Sequence, residues 1–263
     1  MRFVKGHGTG NDFVLLPDPE DRLRLDAAQV AALCDRRTGI GADGLLRVVR
    51  RGADGWFMDY RNADGSVAEM CGNGVRVYAR YLVHAGLAEP GRLLLGTRAG
   101  EREVIVPADP AADITVDMGP PALGGDPATV LLDGRAHPAT PVSMGNPHAV
   151  ALVGSLADLD LTRAPTVTPA TAFPDGVNVE LVELVGPAHL RMRVHERGVG
   201  ETSSCGTGAC AAAVAARSWL GDAQAPEEWL VDLPGGRLRV QVQADRVLLS
   251  GPAVLVAEGE LLS

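Results

Sequence analysis

Two cysteines carry the strongest chemical signal in this sequence. Cys71 begins Cys71-Gly72-Asn73-Gly74, and Cys205 begins Cys205-Gly206-Thr207-Gly208. Each tetrapeptide opens a segment with helical character. The first turn of a helix carries unpaired backbone N–H groups and the positive end of the helix dipole. That environment binds carboxylates. It also lowers the pKa of a thiol, so a thiolate is expected near neutral pH. The glycines after each cysteine let a ligand approach the backbone. Two such thiols suit inversion at the α-carbon of an amino acid. One removes the proton from one face as base, and the other delivers a proton to the opposite face as acid. Helix N–H groups aimed at the carboxylate stabilise the charge that spreads onto it. A redox dithiol is the competing reading, because the same environment favours disulfide exchange.

Other candidate motifs read as structural. Cys34, on the apolar side of a first helix, and Cys210, inside an alanine-rich helix, read as small buried hydrophobes. Gly39-Ile40-Gly41-Ala42-Asp43-Gly44 matches G-x-G-x-x-G, but it follows a helix and precedes the strand-like 45–49. A dinucleotide fingerprint needs the opposite context. Gly6-His7-Gly8-Thr9-Gly10 lacks the lysine and hydroxyl residue that end a Walker loop, and is expected to position Asn11 at a site. Lys5 is the only lysine, which disfavours a Schiff-base cofactor. No cysteine spacing is a paired C-x-x-C, so no metal is expected.

Strand-like runs punctuated by Asp64-Gly65, Asp133-Gly134 and Gly235-Gly236 dominate the chain and point to antiparallel pairing. Three segments read as helices. The first starts at Asp26, with Gln29 placed for a capping box and Val30, Leu33 and Cys34 on one side. The second runs from about Asn73 to Ala85, with Val75, Tyr78, Leu82 and Ala85 as its apolar stripe. Arg76 and Arg80 fall off that stripe and, like most arginines here, read as solvated charges. The third runs from about Thr207 to Leu220. It is apolar on nearly every side and must be enclosed by strands.

The chain also repeats itself. The two cysteine tetrapeptides are 134 residues apart, and the same offset sets Gly44 on Asn178, Met58 on Met192, Tyr60 on Val194 and Asn62 on Glu196. Gly10-Asn11 matches Gly145-Asn146 at 135. A duplicated domain follows, dividing near Gly119-Pro120-Pro121 into 1–118, with 252–263 returning to it, and 119–251. Two halves facing each other would bring both thiols to one cleft. With 263 residues and a net charge of -9, the chain is long enough for two small cores and a poor partner for nucleic acid. No apolar run reaches a membrane span, and the start lacks a secretory pattern. A cytoplasmic protein without a disulfide framework is expected.

These motifs together resemble diaminopimelate epimerases over essentially the whole chain. The likeness rests on Gly10-Asn11-Asp12-Phe13, Gly39-Ile40-Gly41-Ala42-Asp43, Arg61-Asn62-Ala63-Asp64-Gly65-Ser66, Met70-Cys71-Gly72-Asn73-Gly74, Gly145-Asn146-Pro147-His148, Asn178, Glu196-Arg197-Gly198, and Glu201-Thr202 leading to Cys205-Gly206-Thr207-Gly208. The resemblance implies an α+β fold of two pseudo-symmetric domains, each a mainly antiparallel β-barrel around a central α-helix. It implies cofactor-independent conversion of LL- to meso-2,6-diaminopimelate in bacterial lysine and peptidoglycan-precursor synthesis. The implied partner is this small amino acid, not nucleic acid or membrane, and a homodimer is left open. Cys71 and Cys205 match the catalytic pair, and His148 and Glu196 match neighbours that help move protons. Gly72, Asn73, Gly206 and Thr207 match backbone groups at the reacting carboxylate. Asn11, Asn62, Asn146, Asn178, Glu196 and Arg197 match residues that hold the substrate's amino and carboxylate groups.

Two positions depart from the pattern. Many relatives carry Gln where this chain has Gly44, and Tyr where it has His195, so some substrate contacts are expected to differ or to be filled by water. Two alternatives stand beside this reading. One is a proline or hydroxyproline racemase, whose first thiol motif typically reads Cys-Gly-His-Gly, whereas Asn73 stands here. The other is a non-catalytic amino-acid-binding or redox dithiol protein.

Overall fold

The computed structural model describes residues 1–52, 55–157, 159–221 and 224–262. Its contacts divide the chain into Met1–Asp117 with Gly251–Ser263, and Met118–Ser250. The first unit contains β1 (Arg2–Gly8), β2 (Asn11–Pro17), α1 (Ala27–Cys34), β3 (Gly44–Arg51), β4 (Gly55–Asn62), α2 (Gly72–His84), β5 (Gly91–Thr97), β6 (Gly100–Val106) and β7 (Ile114–Asp117). The second contains β8 (Ala122–Leu123), β9 (Ala128–Leu132), β10 (Arg135–Ser143), β11 (Pro147–Leu152), β12 (Thr166–Thr168), β13 (Asn178–Gly186), β14 (His189–Glu196), β15 (Gly200–Thr202), α3 (Gly206–Leu220), β16 (Glu228–Leu233), β17 (Gly236–Val242) and β18 (Val247–Gly251). The last strand, β19 (Val254–Glu260), pairs antiparallel with β1 in the first unit. Among the described residues the chain is thus sheet-rich with three α-helices. No helix among the described residues is long and apolar enough to cross a membrane.

Strand register carries the repeat. In the first unit β2 runs parallel to β3, with Phe13 opposite Gly44. In the second β11 runs parallel to β13, with His148 opposite Asn178. A second parallel pair occurs in each unit, β4 with β5 and β14 with β16. The remaining pairings described within the units are antiparallel. Parallel neighbours need a crossover longer than a tight turn. Here α1, α2 and α3 lie inside three of those crossovers, which turn signals alone do not reveal.

The capping box of α1 is present: Gln29 N donates to Asp26 Oδ1 (2.8 Å) and Asp26 N to Gln29 Oε1 (2.9 Å). Helix α3 packs against β10, β11, β13, β14, β16 and β17. It is buried from Gly208 through Ala216; its alanines leave little side chain to keep surrounding strands at a distance. Helix α2 packs against β1, β2, β3, β4, β6, β7 and β19.

The expectation for α2 needs correcting. Burial runs unbroken from Gly72 to Leu82, Arg76 and Arg80 included, while Ala85 is exposed. Arg80 donates from Nη2 to the carbonyl of Ala112 (2.7 Å) and from Nη1 to that of Pro107 (3.5 Å), while its Nε is buried without a partner. Arg76 donates to Asn73 Oδ1 (2.8 Å) and to the carbonyls of Gly72 and Pro252 (both 3.3 Å). A guanidinium with five donors can be buried when carbonyls receive them, and hydrophobic periodicity has no means of showing those acceptors. Both long helices also start one residue earlier than expected, at Gly72 and Gly206.

Candidate active site

Each cysteine is the N-cap of its helix. Cys71 (φ -140°, ψ 121°) and Cys205 (φ -123°, ψ 113°) have extended backbones. Each carbonyl accepts the first helical hydrogen bond, from Val75 at 2.8 Å and from Ala209 at 3.0 Å. Each sulfur accepts a backbone N–H three residues on, from Gly74 at 3.5 Å and from Gly208 at 3.4 Å. The sulfurs therefore occupy the place normally taken by a capping hydroxyl or carboxylate. Gly72-Asn73 and Gly206-Thr207 are the first helical residues, whose N–H groups have no intrahelical acceptor. Each helix start offers a thiol and an anion-binding turn side by side.

Around Cys71 the partners are amides and a guanidinium. Cys71 Sγ–H donates to Asn11 Oδ1 (3.5 Å), as does Asn73 Nδ2 (3.3 Å). Asn11 Nδ2 donates to Asp43 Oδ2 (2.8 Å). The β1–β2 hairpin turns through Thr9 (φ 50°) and Gly10 (φ 81°) and delivers Asn11 at the start of β2. A left-handed conformation strains a β-branched residue. Thr9 is held there, buried, by Arg76 Nη2 donating to its Oγ1 and by its own hydroxyl donating to Asn73 Oδ1 (both 3.4 Å). The 6–10 segment thus positions Asn11, as the sequence leads one to expect.

The G-x-G-x-x-G segment has a different task from nucleotide binding. Its backbone folds over the end of α1, with N–H groups of Gly39, Ile40, Gly41 and Ala42 on the carbonyls of Asp35, Leu33, Leu33 and Cys34. That leaves Asp43 beneath Asn11 and Asp12, where it accepts from Asn11 Nδ2 and from Asp12 N (3.1 Å). Lys5 and Arg36 close the brace through ion pairs to Asp12 at 2.7 and 2.8 Å. Burial opposes ionisation of Asp12, but the hydrogen bonds from Arg36 and Lys5 outweigh it and hold the carboxyl well below the usual range. Gly44 has a clear reason: a Cβ there would lie 2.7 Å from Arg61 O and 2.8 Å from the Tyr60 ring. The ring of Tyr60, packed edge-on against Phe13 at 6.0 Å, stands where a side chain from residue 44 would go.

Around Cys205 the partners are carboxylates and an imidazole. The fully buried His148 places Nδ1 2.7 Å from Glu180 Oε1 and Nε2 3.0 Å from Asn146 Oδ1. Asn146 Nδ2 donates to Thr207 Oγ1 (3.3 Å), and Thr207 Oγ1 lies 3.5 Å from Cys205 Sγ. Glu196 Oε1 accepts from the Thr202 hydroxyl. The expectation of a lowered thiol pKa is overturned for Cys205. Burial pushes its pKa well up, and the charges of Glu196 and then Glu180 push the same way. Hydrogen bonds from Thr207 and Gly208 act in the opposite direction but do not prevail. Cys205 therefore rests as a thiol. Burial is the largest cause that lifts the structural Cys34 to about 11.

The remaining expected residues brace turns at strand ends. Asn62 Nδ2 donates to Ser66 Oγ (2.9 Å). Asn178 Oδ1 accepts from Arg197 N (2.9 Å), and the exposed Arg197 sends Nη1 to Asp175 O (3.0 Å). His195, at the departing position, is half-buried opposite Val179. Arg76, Asp43 and Glu180 belong to these two environments yet were not singled out for them from the sequence. Only the short spacing of Arg76 from Asn73 and of Glu180 from Asn178 hinted at it. Among the described residues no group of three or more His, Cys, Asp or Glu could hold a metal ion.

A family model described as diaminopimelate epimerase matches residues 3–124 and 140–256. A diaminopimelate epimerase of Streptomyces coelicolor is 54% identical to the chain, over 99% of this chain and 95% of that protein. Among solved structures, a phenazine biosynthesis protein of the PhzF family from Bacillus anthracis matches with a TM-score of 0.74 at 16% identity, over 100% of this chain and 99% of that one. A probable proline racemase from Agrobacterium radiobacter matches at 0.70 and 15% identity, over 99% of this chain and 92% of that one. At such identities the two structures share the fold alone.

Proposed function

From the premise that this chain belongs to the diaminopimelate epimerase family, we propose how its residues divide the work of that reaction. The protein is an epimerase of diaminopimelate, an isomerase of bacterial lysine synthesis. The observation that carries the mechanism is the matched pair of N-cap thiols, Cys71 and Cys205, each with a backbone N–H on its sulfur. One thiol takes the α-proton from one face and the other gives a proton to the opposite face, with roles exchanged in the reverse direction. The N–H groups at Gly72-Asn73 and Gly206-Thr207 bind the reacting carboxylate and stabilise charge as the carbanion forms. No pyridoxal phosphate is needed in this scheme. In each unit we read the sheet as a mainly antiparallel barrel around its long helix, with 1–118 plus 252–263 and 119–251 as the two domains of a duplication. The protein works on this small amino acid in the cytoplasm.

His148 and Glu196 assist proton movement at the thiols. Asn11, Asn62, Asn146 and Asn178 hold amino and carboxylate groups, and Arg197 pairs with the carboxylate of the distal head through a two-pronged contact. A substrate without that head leaves these groups unpaired, at a cost of about 1–3 kcal/mol each and more when charged. The racemase alternative is weaker, because the likeness to the proline racemase extends to fold alone at 15% identity. The test is a substrate panel. LL- and meso-diaminopimelate should turn over, with little activity on proline, alanine or lysine, and Arg197→Ala should lower diaminopimelate turnover severely. Efficient racemisation of proline with no action on diaminopimelate would reverse the assignment.

A further inference from the structure

Glu180 lies on β13 outside every motif that marks the site, and it is completely buried. Its Oε1 is 2.7 Å from His148 Nδ1, while its Oε2 is buried with no hydrogen-bond partner. A buried carboxylate with an orphaned oxygen is costly unless its charge is compensated. The side chains beyond it show how compensation arises. Asn146 Nδ2 donates to Thr207 Oγ1, so the amide oxygen faces His148 Nε2 at 3.0 Å. An oxygen acceptor there requires a proton on Nε2. Nδ1 then meets Glu180 either as N–H against a carboxylate or as a lone pair against a carboxyl O–H. In both forms a single proton lies between the two side chains.

The contacts continue toward α3. Thr207 Oγ1 accepts from Asn146 and can turn its own proton to Cys205 Sγ, 3.5 Å away, on which Gly208 N–H also converges. The helix makes room for this arrangement: a Cβ at Gly208 would lie 2.7 Å from Glu180 Oε1. The other titratable groups facing the cluster are Cys205 at the start of α3 and Glu196 on β14.

We propose that Glu180 is a positioning residue for the epimerisation. By sharing one proton with His148, it commits the ring to a protonated Nε2 and orients His148, Asn146 and Thr207 so that their donors lead to the sulfur of Cys205. The inference rests on the reading of Cys205 as an acid–base thiol assisted by His148. It adds that the orientation is imposed from the side of the ring away from the sulfur. Gln can reproduce it, because its amide N–H can donate to Nδ1. Leu cannot, because it leaves Nδ1 without a partner.

The test is 15N NMR of the full chain with labelled histidine, the His148 signal being identified by its loss in His148→Gln. In the wild type Nε2 should be protonated, with Nδ1 sharing a proton. Glu180→Gln should give a neutral ring with Nε2–H and keep most of the turnover. Glu180→Leu should give mixed tautomers and lower kcat about tenfold with KM little changed. A wild-type ring with a bare Nε2 overturns the proposal, and so does Glu180→Leu with both tautomer and kcat unchanged. If the Leu variant fails to fold, the wild-type and Gln spectra decide. Wild-type turnover by His148→Gln would instead defeat the catalytic reading of His148, while the Glu180→Leu spectrum would still judge the positioning.

Discussion

Phe13 and Leu46 in the first unit occupy the strand positions that His148 and Glu180 occupy in the second. Register shows this directly: Phe13 lies opposite Gly44 as His148 lies opposite Asn178, and Leu46 and Glu180 each come two residues further along. Above the apolar pair, a Cβ on Gly74 would find Leu46 and Phe13 at 3.4 and 3.5 Å. Above the ionisable pair, a Cβ on Gly208 would collide with Glu180. The same backbone thus caps both helices with a thiol, while the side chains beneath the first turn set what each thiol can do. The Cys71 turn is framed by Asn11, Asn73 and the guanidinium of Arg76. The Cys205 turn is framed by carboxylates, which join burial in keeping that sulfur protonated. The two units share this strand register, and a few inward-facing residues make the two ends chemically unequal.

The largest effect should come from the feature the halves share. Cys71→Ser and Cys205→Ser should each lower epimerisation by about 10²- to 10⁴-fold, the span of a lost acid–base group, in a steady-state assay with diaminopimelate. Comparable loss from both variants sustains the two-thiol reading, and near-normal turnover by either one ends it.

A smaller effect should separate the floors. Gly208→Ala should lower stability by about 1–3 kcal/mol, as overpacking does, and should also lower activity by displacing Glu180. Gly74→Ala meets only ordinary van der Waals neighbours and gains up to about 1 kcal/mol from helix propensity. Its denaturation midpoint should be unchanged or raised. Equal destabilisation by the two substitutions would erase the contrast.

The smallest effect is a difference in reagent preference. Cys71 is half-buried, while Cys205 is buried with its pKa raised. Iodoacetamide near neutral pH should therefore modify Cys71 about tenfold faster, read by peptide mass spectrometry. The proton on Cys205 is held more tightly in the folded state than the ordinary thiol value of about 8.5 allows. Its modification should rise only above that range. Faster labelling of Cys205 at neutral pH would reverse the asymmetry.

What could be read from the sequence was local or repeated. The Asp26–Gln29 capping box, the alanine-rich α3 and the two Cys-Gly-x-Gly helix starts each involve residues within one or two turns, and the 134-residue offset needs only the chain itself. Arg76 and Glu180 were hidden for the opposite reason. Charge and periodicity place Arg76 at the surface, whereas the carbonyls of Gly72 and Pro252, the amide of Asn73 and the hydroxyl of Thr9 receive its donors in the interior. Glu180 sits in an apolar strand and acquires meaning from His148, which is distant in sequence. The depressed thiol pKa expected from the helix start failed at Cys205, where burial and the charges of Glu196 and Glu180 raise it. Gly44 seemed to leave a gap, and the ring that occupies it comes from Tyr60 on the neighbouring strand.

The central claim is that Cys71 and Cys205 handle protons on opposite faces of one α-carbon. It is tested most directly by incubating LL-diaminopimelate with the wild-type protein in deuterated water and following both isomers through the earliest turnovers. A base on one face and a separate acid on the other predict that each newly formed meso molecule carries solvent deuterium at the inverted carbon, while the remaining LL substrate stays unlabelled. Product formed without deuterium would mean that a single group carries the proton across, and would contradict the account.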